Sequence, residues 1–286
     1  MPQFEVPDVD YSRYSNRQLL AVPLAVLAIA VLIVGGMWMV TGSPAHLGVD
    51  FTGGSELTVE SSLSSAEIAA QFDEPVVSVQ GIEGENTYVV TFETANVGAV
   101  RATADAAEGL TVLGSGETSP VFGDENKRWA IIGLAIAFVG MSVLAFALFR
   151  TFVPSLAIVV SAFSDMLVPI AVLNLLGVRL SLGTVAALLM LIGYSVDSDI
   201  LLTNHVLRRS GDFYESTYRA MQTGVTMTVT SIAAMAVMAV TATLFGIDLM
   251  ASIGLILVIG LATDLMNTYM FNVSLLRWYK YEGVNR

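Results

Sequence analysis

Asp165, Asp197, Asp199 and Asp264 occupy stretches so apolar that each reads as part of a membrane-spanning helix. A carboxylate near the bilayer centre costs about 2.5–3.5 kcal/mol on insertion scales, so all four are expected to face a helix bundle rather than lipid. Held there, an acid can take up and release a proton or a small cation, which is the chemistry of an ion relay. It can also simply hydrogen-bond one helix to another, a contact worth about 0.6 kcal/mol on average. Two of the four lie in GYSVDSDILLTN, Gly193 to Asn204. Residues two apart on a helix point about 200° apart, so Asp197 and Asp199 cannot share a neighbour. Asp197 is the member expected to face the bundle core, with Asp199 nearer the cytoplasmic mouth and water.

Hydroxyl and amide partners are at hand. TGVTMTVTS, opening the next apolar stretch, supplies Thr226, Thr228, Thr230 and Ser231, and Asn267 lies one turn beyond Asp264. Each can donate to a buried carboxylate. Gly183, Gly193, Gly254 and Gly260 permit close helix approach around the acids, and Gly193…Asp197 and Gly260…Asp264 share a G-x-x-x-D spacing too short to define a repeat.

The elements that position these residues follow from composition. The chain has 286 residues, 55% of them hydrophobic and 13% charged, with a mean hydropathy of +0.70. That is far too apolar for a soluble domain and predicts an α-helical polytopic membrane protein. Six apolar stretches approach or exceed the roughly 20 residues that cross a bilayer: Leu19–Val40, Trp129–Phe149, Val153–Leu176, Leu180–Leu202, Val225–Phe245 and Leu249–Leu276. The first is too long for a signal-peptide core and no A-x-A site follows it, so it reads as a retained anchor. With both termini in the cytoplasm, nine Lys and Arg fall inside (Arg13, Arg17, Arg150, Arg208, Arg209, Arg219, Arg277, Lys280, Arg286) and four outside (Arg101, Lys127, Arg128, Arg179). This agrees with the positive-inside bias. The expected organisation is a cytoplasmic segment at 1–18, the first span at 19–40, an extracytoplasmic α+β domain at 41–128, spans two to six within 129–276 with a cytoplasmic loop at 203–224, and a cytoplasmic tail at 277–286.

Alternating apolar residues in Ser55–Glu60, Val76–Gln80, Asn86–Glu93 and Leu110–Glu117 predict four strands in the outer domain. Ser64–Phe72, opened by the capping-box pair Ser64 and Glu67, and Asn96–Glu108 predict two helices. The order β-α-β-β-α-β is the ferredoxin-like plan. Nothing in this domain has the look of catalysis, and no enzymatic activity is expected. With no cysteine, and with His46 and His205 lacking companions at ligand spacing, neither a metal nor a cofactor is expected. The outer domain and its turns hold 15 Asp and Glu, counting Asp248, against the four basic residues just named. Such a surface fits work in very high salt, or ordinary acidic solubility, and a nucleic-acid partner is not expected.

GVDFTGGSEL (Gly48–Leu57) after the first span, with GYSVDSDILLTN in the fourth and TGVTMTVTS opening the fifth, resembles the SecF branch of the SecD–SecF family of protein-export membrane proteins, within the resistance-nodulation-division superfamily. The motif positions are Asp50, Phe51, Thr52, Gly53, Gly54, Gly193, Tyr194 and Ser195. The resemblance implies a SecD-like membrane partner, the Sec protein-export channel and a translocating polypeptide as associates, in the cytoplasmic membrane, with proton flow through intramembrane acids in bacterial relatives. The bacterial fourth-span pattern G-Y-S-[LV]-N-D-T puts its Asp at Ser198, while Asp197 and Asp199 replace the neighbouring Asn and Thr. The bacterial Arg before T-x-x-T-S is Thr226 in this chain. The pattern is closer to archaeal relatives.

Taken by itself, GVDFTGG reads as a sharp turn from membrane to domain; it is not a phosphate loop, because no G-K-[ST] follows. An intramembrane aspartyl protease would also pair two buried acids, but its Y-D and G-x-G-D motifs are missing. A stand-alone small-molecule or lipid transporter acting as a homodimer is the alternative from another class.

Overall fold

The computed structural model describes residues 11–82, 86–208, 212–245 and 247–283. The N-terminal residues 1–10, Arg209 of the predicted basic loop, Gly246 of the last predicted turn and the terminal Arg286 lie outside the described residues.

Among the described residues, six helices are long and apolar enough to cross a membrane. They are α1 (Asn16–Thr41), α5 (Pro120–Phe149), α6 (Phe152–Leu176), α7 (Leu182–Arg208), α8 (Phe213–Leu244) and a composite sixth. That sixth span runs as α9 (Asp248–Met266), a π-helical turn (Asn267–Asn272), α10 (Val273–Trp278) and a second π-helical turn (Tyr279–Gly283). Local chemistry sets the ends. Ser15 and Gln18 close a capping box at the start of α1, and Gly42 ends it in the left-handed conformation. Ser119 caps α5 with Pro120 at the first helical position. The segment 203–224, predicted as a loop, is mostly helix: α7 continues to Arg208 and α8 starts at Phe213, capped by Asp212. Its polar residues lengthen two spans at one end of the bundle.

Between α1 and α5 lie a short turn α2 (Val49–Thr52), strand β1 (Gly54–Ser61), α3 (Ser65–Ala69), β2 (Val76–Ile82), β3 (Thr87–Phe92), α4 (Val97–Ala106) and β4 (Leu110–Thr118). The sheet is antiparallel in the order β2-β3-β1-β4. Leu57, Val59, Val90 and Phe92 on its inner face pack with Ile68 of α3 and Val100 and Ala104 of α4 into one core. The Ser64–Glu67 capping box forms, with Glu67 accepting from both the Ser64 hydroxyl and its backbone N–H. Those two bonds hold the Glu67 carboxyl below its ordinary value.

The chain from Gly48 to Gly54 fastens this domain to the bundle. Gly48 N–H donates to Leu180 O and Leu180 N–H to His46 O, while the Asn174 side chain bonds the backbone of Pro44 and His46. The Asp50 carboxylate accepts from Leu182 N–H at 2.9 Å, capping the first turn of α7. Asn126 of α5 donates to Asp50 O. The paired glycines follow from crowding. A Cβ on Gly53 would lie 2.7 Å from Pro120 N, and one on Gly54, at φ 142°, would lie 2.4 Å from Phe92 O.

Candidate functional site: a buried acid cluster

In the bundle, α7 packs against α5, α6, α8 and α9. Asp165 on α6, Asp199 on α7 and Asp264 on α9 are each fully buried and are joined through short polar side chains. The Asp165 carboxylate accepts from Ser195 at 2.6 Å and from Asn267 at 2.7 Å, with Ser161 at 3.5 Å. Asp264 accepts from Ser198 through both oxygens, at 2.9 and 3.0 Å, and from Thr268 at 3.3 Å. Asp199 accepts at Oδ1 from Thr268 at 2.8 Å and from the Asn272 amide. Thr268 thus touches two of the three acids, and Ser198 approaches Thr268 at 3.4 Å.

Three of these donors, Asn267, Thr268 and Asn272, belong to the π-helical turn. A π turn carries i→i+5 bonds and is wider than an α turn, a feature concentrated at functional sites. The structure also fixes this turn from below. The Tyr11 hydroxyl donates to Tyr269 O at 3.0 Å, and the Arg277 guanidinium donates to Tyr11 O, Tyr14 O and the Asn16 side chain. Burial pushes the Tyr11 phenol above its ordinary value, so it stays a donor.

Two predictions about side-chain direction are overturned. Asp199, expected near water, is the buried member of its pair, and Asp197, expected in the core, is exposed. They do point to opposite sides, as 200° requires. Which one turns inward is set by where α7 meets α6 and the π turn. The predicted hydroxyl partners on α8 do not reach the acids either. Thr226 and Thr230 donate to backbone carbonyls of their own helix, at Gln222 and Thr226 respectively. Thr228 accepts from Tyr194 at 3.4 Å, and Ser231 is half-buried with no bond to a carboxylate among the described residues. Threonine in mid-helix commonly bonds back to the preceding turn in this way. Asn267 is the predicted partner that does reach an acid, Asp165 rather than Asp264. Ser161, Ser198, Thr268 and Asn272 are added by the structure; their spacing from the acids, i−4 for Ser161 and i+4 for Thr268, was the available signal.

The motif residues divide between the ends of α7. Asp50 to Gly54 hold its domain end, and Ser195 joins the acid cluster about 20 Å further along the helix axis. Tyr194 turns to α8. Gly183 sits against Leu249, Gly254 against Ala239 and Gly260 against Leu191, whereas Gly193 faces open space. No group of three or more His, Cys, Asp or Glu among the described residues has the arrangement of a metal site.

Six apolar spans with one α/β domain after the first define a multi-pass helical membrane protein. The model of the SecD/SecF C-terminal region of protein-export membrane proteins matches residues 102–282, and that of the SecD/SecF GG motif matches 38–62. The chain belongs to the SecD/SecF family of protein-export membrane proteins. It is 61% identical to the protein-export membrane protein SecF of Haloferax volcanii over 100% of both chains. It is 57% identical to the SecF of Haloquadratum walsbyi, again over 100% of both, so two of its near relatives come from halophiles. Among solved structures, the crystal structure of SecDF, a translocon-associated membrane protein from Thermus thermophilus, superposes with a TM-score of 0.73 at 20% identity. The match covers 96% of this chain and 39% of that one.

Proposed function

We propose that this chain is the SecF-type half of a SecD–SecF assembly in the cytoplasmic membrane, and that the Asp165–Asp199–Asp264 cluster is its ion-responsive element. Both termini lie in the cytoplasm, and the α/β domain, ferredoxin-like in its strand order β2-β3-β1-β4, lies outside. There it acts on a translocating polypeptide beside the Sec protein-export channel. The family supports a transport accessory role rather than enzymatic work.

One observation carries the ion-responsive reading. Three carboxylates are buried together, and their hydrogen-bonding partners among the described residues are hydroxyls and amides, not cationic groups. Asp199 Oδ2 and Asn272 Oδ1 are buried acceptors without a partner among the described residues. An uncompensated buried charge is strongly destabilising, by about 3–5 kcal/mol. Bound protons or a small cation, supplied from outside these side chains, would offset that cost. A proton on Asp199 Oδ2 would remove the charge from that buried carboxylate. Cycling that charge changes the bonds that tie α6 and α7 to the π turn, and Asp50 links the far end of α7 to the outer domain.

Asp199→Asn keeps an amide in place of the acid, so folding and assembly persist while export of Sec-dependent proteins falls. Export at the unsubstituted rate in that variant would overturn the reading. Recovery of a homodimer alone from native membranes would favour the transporter alternative.

A further inference from the structure

One end of the acid cluster is closed by a segment that belongs to none of the spans. Tyr11–Arg13 form a single 3-10 turn ahead of α1. The Tyr11 side chain is 5% exposed and lies in one apolar layer with Leu202 and Val206 of α7, Ala220 and Met221 of α8 and Val273 of α10. This layer comes directly after the acids. Leu202 and Val206 lie about 4.5 Å and about 10 Å beyond Asp199 at the helical rise, and Val273 follows Asn272. Past it α7 ends at Arg208 and α8 begins at Phe213, so the layer separates the carboxylates from that end of the bundle.

Tyr11 differs from the rest of the layer in how it is held. The other residues just named are carried by spans, whereas Tyr11 is carried by a short turn. Its phenol donates to Tyr269 O at 3.0 Å and touches Met221 Sδ at 3.4 Å, a soft thioether that can repack when a neighbour leaves. The backbone of the turn is tied to the last span through Arg277, which donates to Tyr11 O and Tyr14 O, each at 2.9 Å, and to the Asn16 side chain. Arg277 follows Asn272 on the same helical run, so the group that holds the turn and the amide that binds Asp199 are carried by one continuous element.

We infer that the Tyr11–Tyr14 segment is a gate over the acid cluster, with Tyr11 as its plug and Arg277 as its latch. When Arg277 releases the two carbonyls, the turn withdraws Tyr11 from the layer and opens a path for water and small ions toward Thr268 and Asp199. The inference rests on the ion-responsive reading above and adds how access to that cluster is controlled. A change in the Asp199–Asn272 bond shifts the run that carries Arg277, which couples the charge on the cluster to the state of the gate.

Because the chain has no native cysteine, access can be read as the rate at which a charged methanethiosulfonate modifies single cysteines in membrane vesicles. Ala220→Cys and Val273→Cys report on the layer that holds Tyr11, and Ala187→Cys, buried in the separate core nearer the α/β domain, reports on the fold. Arg277→Gln and Tyr11→Ala should each speed modification at positions 220 and 273 by about tenfold and leave position 187 unchanged. Unchanged rates at 220 and 273 would refute the plug, and a rise at 187 as well would make the segment a brace for the whole fold and refute the gate. Opening is tested by joining Tyr11→Cys to Met221→Cys, whose native side chains meet, with a reducible bifunctional thiol reagent. Export of a Sec-dependent reporter should fall on bridging and return on reduction. Export unchanged by the bridge would mean a static seal and overturn the gate. A bridge that blocks export while Asp199→Asn exports normally would leave the gate standing and defeat the ion-responsive reading.

Discussion

The Asn272 amide donates to Asp199 Oδ1, while Asn272 Oδ1 and Asp199 Oδ2, on the same two side chains, have no partner among the described residues. The pair joins α7 to the π turn of the last span, so this bond is one of those that tie the two helices.

Replacing Asn272 with Leu strands the Asp199 carboxylate without its amide donor. The melting temperature of the detergent-solubilised protein should fall by the equivalent of about 1–3 kcal/mol, the cost of a buried polar group losing its partner. The double change Asp199→Leu with Asn272→Leu removes both sides and should recover part of that loss. A double variant no more stable than Asn272→Leu alone would show that the two side chains are not coupled.

Asp50→Ala removes the carboxylate that caps α7 at Leu182 N–H. Loss of a cap typically costs about 1 kcal/mol, and the effect here should be read as faster amide exchange in residues 182–186 with the strands of the α/β domain unaffected. Asp50→Asn, which can still accept the bond, should restore most of the protection. Unchanged exchange in Asp50→Ala would remove Asp50 from the coupling between domain and bundle.

Tyr11→Phe deletes the bond to Tyr269 O and the weaker contact to Met221 sulfur at 3.4 Å. A net cost of about 1 kcal/mol is expected, concentrated as faster exchange in the π turn. The phenol is raised in the folded protein. Its contribution is therefore complete below the ordinary phenol value and is lost as pH rises from there toward the higher folded value. A melting curve that is flat across that alkaline range in the parent protein would contradict the role given to Tyr11.

Glu67 is lowered by its two bonds from Ser64, so the sign is opposite. The capping box contributes above the ordinary carboxyl value and is lost as pH falls through the lower folded value. Exchange of the Ser64–Ala69 amides, corrected for intrinsic rate, should rise as pH falls below the ordinary carboxyl range. Glu67→Gln should abolish that dependence; persistence of it would assign the transition to another group.

How much of this was written in the sequence depends on the range over which each feature is decided. The strands lie where apolar alternation put them, within one residue of β1, β3 and β4 and two of β2, because alternation is a property of neighbours. The Ser64–Glu67 cap is local for the same reason. The buried acids announced themselves by their apolar surroundings. Their partners did not, because the inward side of α7 depends on how four other helices pack against it. Position along the span favoured Asp197 for the core, and that packing chose Asp199 instead. The threonines of α8 looked suitable by type, yet their own helix carbonyls were nearer than any carboxylate. The π turn, which aligns Thr268 and Asn272 on Asp199, has no periodic signature at all.

The most direct measurement compares export of a Sec-dependent reporter in cells carrying Asp199→Asn or Asp197→Asn at matched protein levels. The buried-cluster account predicts that the Asp199 variant assembles with its partner but loses most export, while the Asp197 variant exports at close to the unsubstituted rate. Normal export with Asp199→Asn, or the reverse order of the two variants, would contradict it.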